Sequence, residues 1–374
     1  MRRDKFVLLS YLNQMKKVFR SALCACVAGF VLASCEPVIG GDEALVVSRP
    51  DVFILCEGLY QANNAEVSAY NSNLMWCTSD YYFQQNGQYL GDTGQDILYH
   101  DGYLYVSVSG SKYIAKLDLE GREVARRAIT PEEGDPRYLA AKGDYLYVTL
   151  YSGRVAKMNT SDLSVVDYAP VGNNPEGIVV YKDQLLVANS GWANTTCCDS
   201  TLTIIDIETF EPVGRIEVEH NPQSLVVAGD SVYLLAYGKN YVTTLQSINV
   251  VERTARTITY ATNAAAYEGT LYLCNSVTDW VTYETSNTFF TYDVATATLN
   301  TANCLQGDVA DVASNSVYMM EVDPQTGELY IGLAGNKFVS SGKVYRYTSE
   351  GVLVDDFNVL CNPNQAVFVK RIKG

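Results

Sequence analysis

The 374-residue chain has only two histidines, His100 and His220. Neither belongs to an H-E-x-x-H pair, neither has a Ser or Cys at motif spacing, and no G-x-S-x-G segment occurs, so zinc-protease and α/β-hydrolase chemistry have no foothold. Positive charge is scarce too: 27 Lys and Arg stand against 42 Asp and Glu, a net charge of −15. A chain of that sign repels a phosphate backbone, which argues against a nucleic acid partner. Long helical periodicity is missing, and so is an apolar run of the roughly 20 residues that a membrane-spanning helix needs. What is abundant is tyrosine, 28 residues, set among short apolar segments separated by turn residues. That is the pattern of an all-β chain.

The N-terminus reads as an export leader rather than as fold. Lys16, Lys17 and Arg20 precede the apolar stretch from Ala22 to Ala33, and Met15 reads as an alternative start. Leu32-Ala33-Ser34-Cys35 resembles a bacterial lipobox, which implies cleavage before Cys35, lipidation of that residue and an anchored, non-spanning protein. Residues 1–34 are then a lipoprotein signal peptide, 35–50 the lipidated cysteine with a flexible tether, and 51–374 the folded domain. Of ten cysteines, Cys24 and Cys26 leave with the leader and Cys35 carries the lipid. The rest, Cys56, Cys77, Cys197, Cys198, Cys274, Cys304 and Cys361, are odd in number and cannot all pair. Cys56 and Cys274 fall on second strands and read as buried thiols. Adjacent Cys197 and Cys198 lack the further Cys or His that would complete four ligands, so no metal site or cofactor is expected.

Most of the chain is copied, with drift, from one unit, residues 174–216. It opens on Asn174-Pro175, runs through Ile178-Val179-Val180, turns at Lys182-Asp183, and continues through Leu185-Leu186-Val187, a long polar loop, a third apolar run ending at Asp206, and a fourth from Val213 to Val218. Four antiparallel strands make a propeller blade. Second-strand anchors recur at Leu104, Leu146, Leu185, Val232, Leu271 and Leu329, about 45 residues apart, a propeller-like period. Third strands close on Asn71, Asp118, Asn159, Asp206, Asn249, Asp293 and Thr348, seven copies of a turn-making residue. The first unit, from Asp51, lacks a first strand, while the chain ends in a spare one at Asn362 to Val369. The fold expected is an all-β, seven-bladed β-propeller whose C-terminal strand closes blade one.

In such a blade the loop leading into strand one and the loop between strands two and three lie on one face. Here the opposite turns are short, whereas the strand-two-to-three loops hold Tyr60, Asn63, Asn64, Tyr113, Tyr151, Trp192, Asn194, Tyr237, Tyr241, Trp280, Tyr283, Asn336 and Phe338. Nine residues before each anchor stand Gln95, Arg137, Glu176, Gln223 and Thr262, with Gln365 at the matching place in the closing strand and Asn315 or Ser316 in the remaining blade. One polar residue per blade around a channel mouth, below aromatic loops, makes a candidate binding basin. Glu176 is the only acid in these positions, too few for the converging carboxylates of a calcium-dependent lactonase, and the chain is read as a binder rather than an enzyme.

Ile54-Leu55-Cys56-Glu57-Gly58, Asn63-Asn64, Asn174-Pro175-Glu176-Gly177 and Val187-Ala188-Asn189-Ser190-Gly191 resemble the YncE-like propellers of Bacteroidetes surface lipoproteins over roughly residues 50–370, with Cys56 where Asn is usual. The functional group it resembles is the BtuG-type cobalamin-binding lipoproteins. The resemblance implies a lipid-anchored protein of the outer membrane, exposed at the cell surface, that captures cobalamin or a related corrinoid and passes it to a TonB-dependent transporter. The ligand site would be Gln95, Arg137, Tyr151, Glu176, Trp192, Gln223, Tyr237, Trp280, Tyr283 and Gln365. The other reading is a protein- or polymer-binding surface propeller without corrinoid specificity.

Overall fold

The computed structural model describes residues 49–192, 198–239, 242–279, 281–282, 284–307 and 309–369. Cys35 lies outside the described residues, as do Asn194, Cys197, Tyr241, Trp280 and Tyr283. Seven four-stranded antiparallel sheets make up the fold. The innermost strands of blades two to seven are Gly94–His100, Pro136–Lys142, Pro175–Tyr181, Pro222–Ala228, Asn263–Tyr267 and Val317–Val322, and that of blade one is Pro363–Phe368. Each touches the next, so the seven form a closed ring around the axis.

Closure follows the expectation from the missing first strand. Val52–Cys56 pairs with Pro363–Phe368 in the register Val52 with Phe368 and Ile54 with Ala366, and the Val369 N–H donates to the Asp51 carbonyl at 2.8 Å. The seam between blades seven and one is packed by Val52, Ile54, Tyr70, Met319, Tyr330, Val344, Phe357 and Ala366. Tyr70 stacks on Phe357 at 4.0 Å and donates to Asp355 at 2.7 Å. Arg346 donates to the Ser72 carbonyl at 2.8 Å and to Glu328 at 2.6 Å, joining the two blades by a buried charge whose hydrogens reach across the seam.

Blades two to seven bury both faces against their neighbours, so strands such as Tyr145–Leu150 carry consecutive buried residues instead of alternating with charge. The third-strand closers act as turn residues. Side chains of Asn71, Asp206, Asn249 and Asp293 accept the N–H groups of Leu74, Thr209, Glu252 and Thr296 at 2.7–2.9 Å. The six described cysteines are free, and burial pushes the Cys56 and Cys274 thiols up to about 12, where they behave as small apolar groups.

Candidate functional site

Six of the seven inner strands begin with a bulge. Pairing jumps from Gly94 to Asp96, Pro136 to Leu139, Pro175 to Ile178, Pro222 to Ser224, Val317 to Met319 and, in blade one, Pro363 to Gln365. An extra residue without a ladder partner is re-aimed out of the sheet. In blades two to five the residues so displaced include Gln95, Arg137, Glu176 and Gln223, as the nine-residue count places them. A local signal accompanies four of the bulges: Asp135-Pro136, Asn174-Pro175, Asn221-Pro222 and Asn362-Pro363. Proline gives up an N–H at a strand's first position at little cost, and Asn174, Asn221 and Asn362 take left-handed φ values of 41°, 57° and 57°.

The other three ring assignments are corrected. In blade seven the displaced residue is Tyr318, not Asn315 or Ser316, because residues 323–328 separate the two strands where most blades use a two-residue turn, so counting back from Leu329 fails. In blade one it is Asn364. Gln365 pairs with Leu55 inside the sheet, and its amide oxygen lies 3.4 Å from the Ile97 N–H. A one-residue slip changes the face a side chain serves. Blade six has no bulge, and the Thr262 hydroxyl turns back onto its own sheet, donating to the Cys274 carbonyl at 3.1 Å and accepting the Ser276 N–H at 3.0 Å.

At the mouth, Arg137 grips Glu176 with two nitrogens, Nε at 2.9 Å and Nη2 at 3.2 Å, and its Nη1 donates to Ser109 at 3.3 Å. Its guanidinium lies 4.8 Å from the centre of the Tyr151 ring, whose hydroxyl donates to the same carboxylate. Glu176 is 1% exposed. Glu57 of blade one accepts a hydrogen bond from the Tyr318 hydroxyl, and the Tyr318 ring stands 6.2 Å from that of Phe338. Burial raises the pKa of Glu57, against the pull of Tyr318 and Arg137. Burial and then the charges of Glu176 and Glu57 raise Tyr237, while burial and Glu176 raise Tyr138 and Tyr151, so the phenols stay protonated, and Tyr151 donates to Glu176. Burial alone would lower Arg137, but Glu176 and Tyr151 hold it raised and charged. Blades one, three, four, five and seven thus contribute to one electrostatically linked cluster. Glu57 and Tyr318 were not in the sequence-derived site.

Trp192 and Tyr237 stand on loops beside this cluster with their rings 6.5 Å apart, 43% and 42% exposed. Their backbones are tied to the lead-in of blade five. Ser190 donates to Asn221 at 2.6 Å and accepts the Trp192 N–H at 3.1 Å, and the Tyr237 N–H donates to the Asn221 carbonyl at 3.0 Å. Gln223 gives its amide hydrogens to Ser190, at 2.9 Å, and to Asn221, so it holds the Trp192 loop in place. Gly191 is required in this loop, with φ 64° and space for a Cβ only 2.5 Å from the Asp199 nitrogen. Tyr113, expected among the mouth aromatics, is instead 3% exposed with Arg126 stacked on its ring at 3.9 Å. It lines a separate cleft of about 470 Å³ between blades one and two, with Phe83, Tyr89 and Arg126. His220 Nδ1 is 3.4 Å from Ser200 Oγ, long for an activated hydroxyl, and His100 bonds the Gly143 carbonyl among the short turns of the opposite face.

No protein-family model matches the chain, and no curated protein matches it. Solved structures do. A Bacteroides fragilis protein provisionally named a 6-phosphogluconolactonase is 14% identical with a TM-score of 0.59, over 88% of this chain and 100% of that one. Hydrazine synthase of Kuenenia stuttgartiensis is 17% identical with a TM-score of 0.57, over 69% and 77% of the respective chains. A β-propeller domain from Myceliophteria thermophila is 11% identical with a TM-score of 0.52, over 74% and 88%. At these identities the likeness is one of fold: the chain is a seven-bladed β-propeller with distant propeller neighbours.

Proposed function

We propose that this protein is a surface lipoprotein, anchored through Cys35, that captures cobalamin or a related corrinoid at the channel mouth and hands it to an outer-membrane TonB-dependent transporter. The observation that carries the reading is the union of two half-exposed rings, Trp192 and Tyr237, with a buried bed of phenols and carboxylates drawn from five blades. A corrin is a rigid apolar disc fringed with amides. Rigid rings cover such a disc with little rotamer entropy to lose, and Tyr237, Gln95 and Glu57 are of the types that exchange hydrogen bonds with amide groups. A phosphorylated sugar lactone suits the bed less well, because its one arginine is already taken by Glu176 and a second carboxylate, Glu57, lies close by. We therefore read the site as one for binding rather than for catalysis.

Calorimetry with cyanocobalamin on residues 36–374 tests this. Saturable heat is expected, with a loss of about 2 kcal/mol in Trp192→Ala if that ring is a central anchor. Absence of heat with any cobamide overturns the reading. A protein- or polymer-docking face is the second reading, favoured by Val277 at the end of a second strand and by Val281 and Val339 on loops, which are 59%, 89% and 64% exposed. It predicts that Val281→Ser and Val339→Ser reduce partner capture, whereas corrinoid capture leaves cobamide affinity unchanged in both.

A further inference from the structure

Blade one is joined to blade two by residues 79–93, whereas the joins into blades four, five and six are only residues 171–174, 218–221 and 261–262. Closing the ring does not require the extra length. It folds as a short helix, Tyr81–Asn86, and a return segment, both fixed to the blades. The Phe83 N–H donates to both carboxylate oxygens of the buried Glu66 at 3.2 Å, the Leu90 N–H to the Ala65 carbonyl at 3.1 Å and the Ala65 N–H to the Gly91 carbonyl at 2.8 Å. Asn86 donates to the Gly121 carbonyl at 2.8 Å and accepts the Glu123 N–H at 3.0 Å, Tyr82 donates to the Glu123 carboxylate at 2.8 Å, and Tyr113 donates to the Leu90 carbonyl. At Gly91, with φ 134°, a Cβ would stand 2.7 Å from Ser111 Oγ, so only glycine lets the return segment run this close to blade two. The cleft of about 470 Å³ between insertion and blade two is therefore built in advance, and it has the size of a small-molecule pocket.

Its walls are of two kinds. Phe83 and Tyr89 set their ring centres 4.8 Å apart with planes tilted by 40°, and both rings reach solvent, at 37% and 47% exposure. Beside them stand polar groups with unused capacity. The side-chain amides of Gln88 and Asn63 have no hydrogen-bond partner among the described residues. Ser111 Oγ accepts the Asp92 N–H at 2.9 Å, which leaves its own hydrogen to donate. Arg126 commits Nε and Nη2 to Glu123, each at 2.7 Å, with Nη2 also 3.4 Å from the Tyr82 hydroxyl, and it stacks on Tyr113, so Nη1 is what it offers a ligand.

We propose that this cleft binds a neutral, gluco-configured pyranose, one residue of a glycan. Such a sugar carries its hydroxyls equatorially, which leaves axial C–H hydrogens on each face, the positive ends of their bonds, to settle on the negative face of an aromatic ring. Each hydroxyl is donor and acceptor at once, and so is each amide of Gln88 and Asn63. An anionic ligand is disfavoured, because Glu123 already neutralises Arg126 and the chain carries a net charge of −15. A wholly apolar ligand would cover these polar groups without pairing them. The cleft is separate from the mouth cluster, and the proposal does not rest on the corrinoid reading.

Saturation-transfer difference NMR on the full chain in a sugar-free detergent tests the site, with cellobiose, maltose and glucuronate as probes. Saturable transfer from both disaccharides is expected, strongest at the axial ring hydrogens of one sugar unit and unchanged by added salt. Tyr89→Ala and Phe83→Ala are each expected to weaken binding about tenfold, and Gln88→Ala about threefold. If Phe83→Ala loosens the helix and lowers the Tm, Tyr89→Ala carries the test, since Tyr89 lies outside it. No transfer to either disaccharide, transfer to glucuronate alone, or equal affinity in Tyr89→Ala overturns the proposal. The cobamide titration is read separately, so failure of one site leaves the other standing.

Discussion

Blades four and six descend from one repeated unit, yet they meet the channel differently. Blade four begins Asn174-Pro175-Glu176-Gly177, bulges, and turns Glu176 out to Arg137 and Tyr151. Blade six begins Thr262-Asn263-Ala264, pairs without a break from Asn263 to Tyr267, and keeps its hydroxyl for its own sheet. The sheet is the same and the chemistry is not. A repeat of this kind separates the two tasks: regular ladder and interblade packing make the ring, and one extra residue per blade decides what the ring presents.

If that division is right, the heaviest loss comes from the part that closes the ring. Truncation after Leu360 removes the inner strand of blade one and bares Val52, Ile54, Met319 and Tyr330. Each such side chain forfeits about 1.5–3 kcal/mol, and together with the lost ladder this consumes most of a stability of roughly 5–15 kcal/mol. Loss of cooperative melting is expected in calorimetry. A truncated protein that melts like the whole domain would show that closure is not what holds the ring.

Next comes the contrast itself. Glu176→Leu strands Arg137 as a buried unpaired charge, a change expected to cost about 3–5 kcal/mol. Thr262→Val at the corresponding place in blade six removes one hydroxyl and is expected to cost about 1 kcal/mol. Adding Arg137→Met to Glu176→Leu is expected to recover much of the loss. Equal costs at the two positions in urea titrations would erase the distinction between the blades.

A graded effect is expected of pH. Asp96 and Glu321, raised by burial to about 8, and Glu66, raised by burial to about 7, bind more protons in the folded than in the unfolded chain above pH 4. Stability from these groups is present below their unfolded pKa values and is lost as pH climbs through 7 to 8. Glu133, held at about 2 with Arg127, the Thr130 N–H and Tyr168 outweighing its burial, acts the other way: its contribution is full above about 4.5 and lost below. Thermal melts are expected to be highest near pH 5. A Tm that rises steadily from pH 5 to 8 would mean that the channel carboxylates are ionised in the folded protein.

The fold was legible because it repeats: anchors, closers and the spare C-terminal strand all follow from short-range patterns, and the seven sheets bear them out. The ring was legible only where a constant hairpin kept the nine-residue count and the strand carried a bulge. It failed at Tyr318, where the hairpin is longer, at Asn364, after which no hairpin follows, and at Thr262, where the hairpin is ordinary but the strand has no bulge to turn the residue outward. The Asx-Pro pair before Asn364, shared with blades three to five, was the signal that would have found it. Glu57 was out of reach for a different reason. It sits at the end of a second strand, and its partner Tyr318 comes from the far end of the chain, so nothing local marks it as part of the mouth.

The smallest effect is expected where that signal is strongest. Pro175 lacks an N–H and fixes its own φ, which narrows the unfolded ensemble, so Pro175→Ala is expected to cost about 0.4–1 kcal/mol through the unfolded chain. The folded bulge is held by more than the proline. Asn174 donates to the Trp192 carbonyl, the Gly191 N–H donates to the Asn173 carbonyl at 2.9 Å, and Arg137 holds Glu176. Gly177 is pressed against the next blade, where a Cβ would lie 2.6 Å from the Gln223 carbonyl. With these in place Glu176 keeps its aim, and cobamide affinity in Pro175→Ala is expected to stay within about twofold, well under the 1.4 kcal/mol of a tenfold change. A small stability loss with unchanged affinity makes the proline a marker of the bulge. A loss of affinity as large as that of Trp192→Ala would make it the cause, and the difference between blades four and six would then rest on one residue instead of on the network around it.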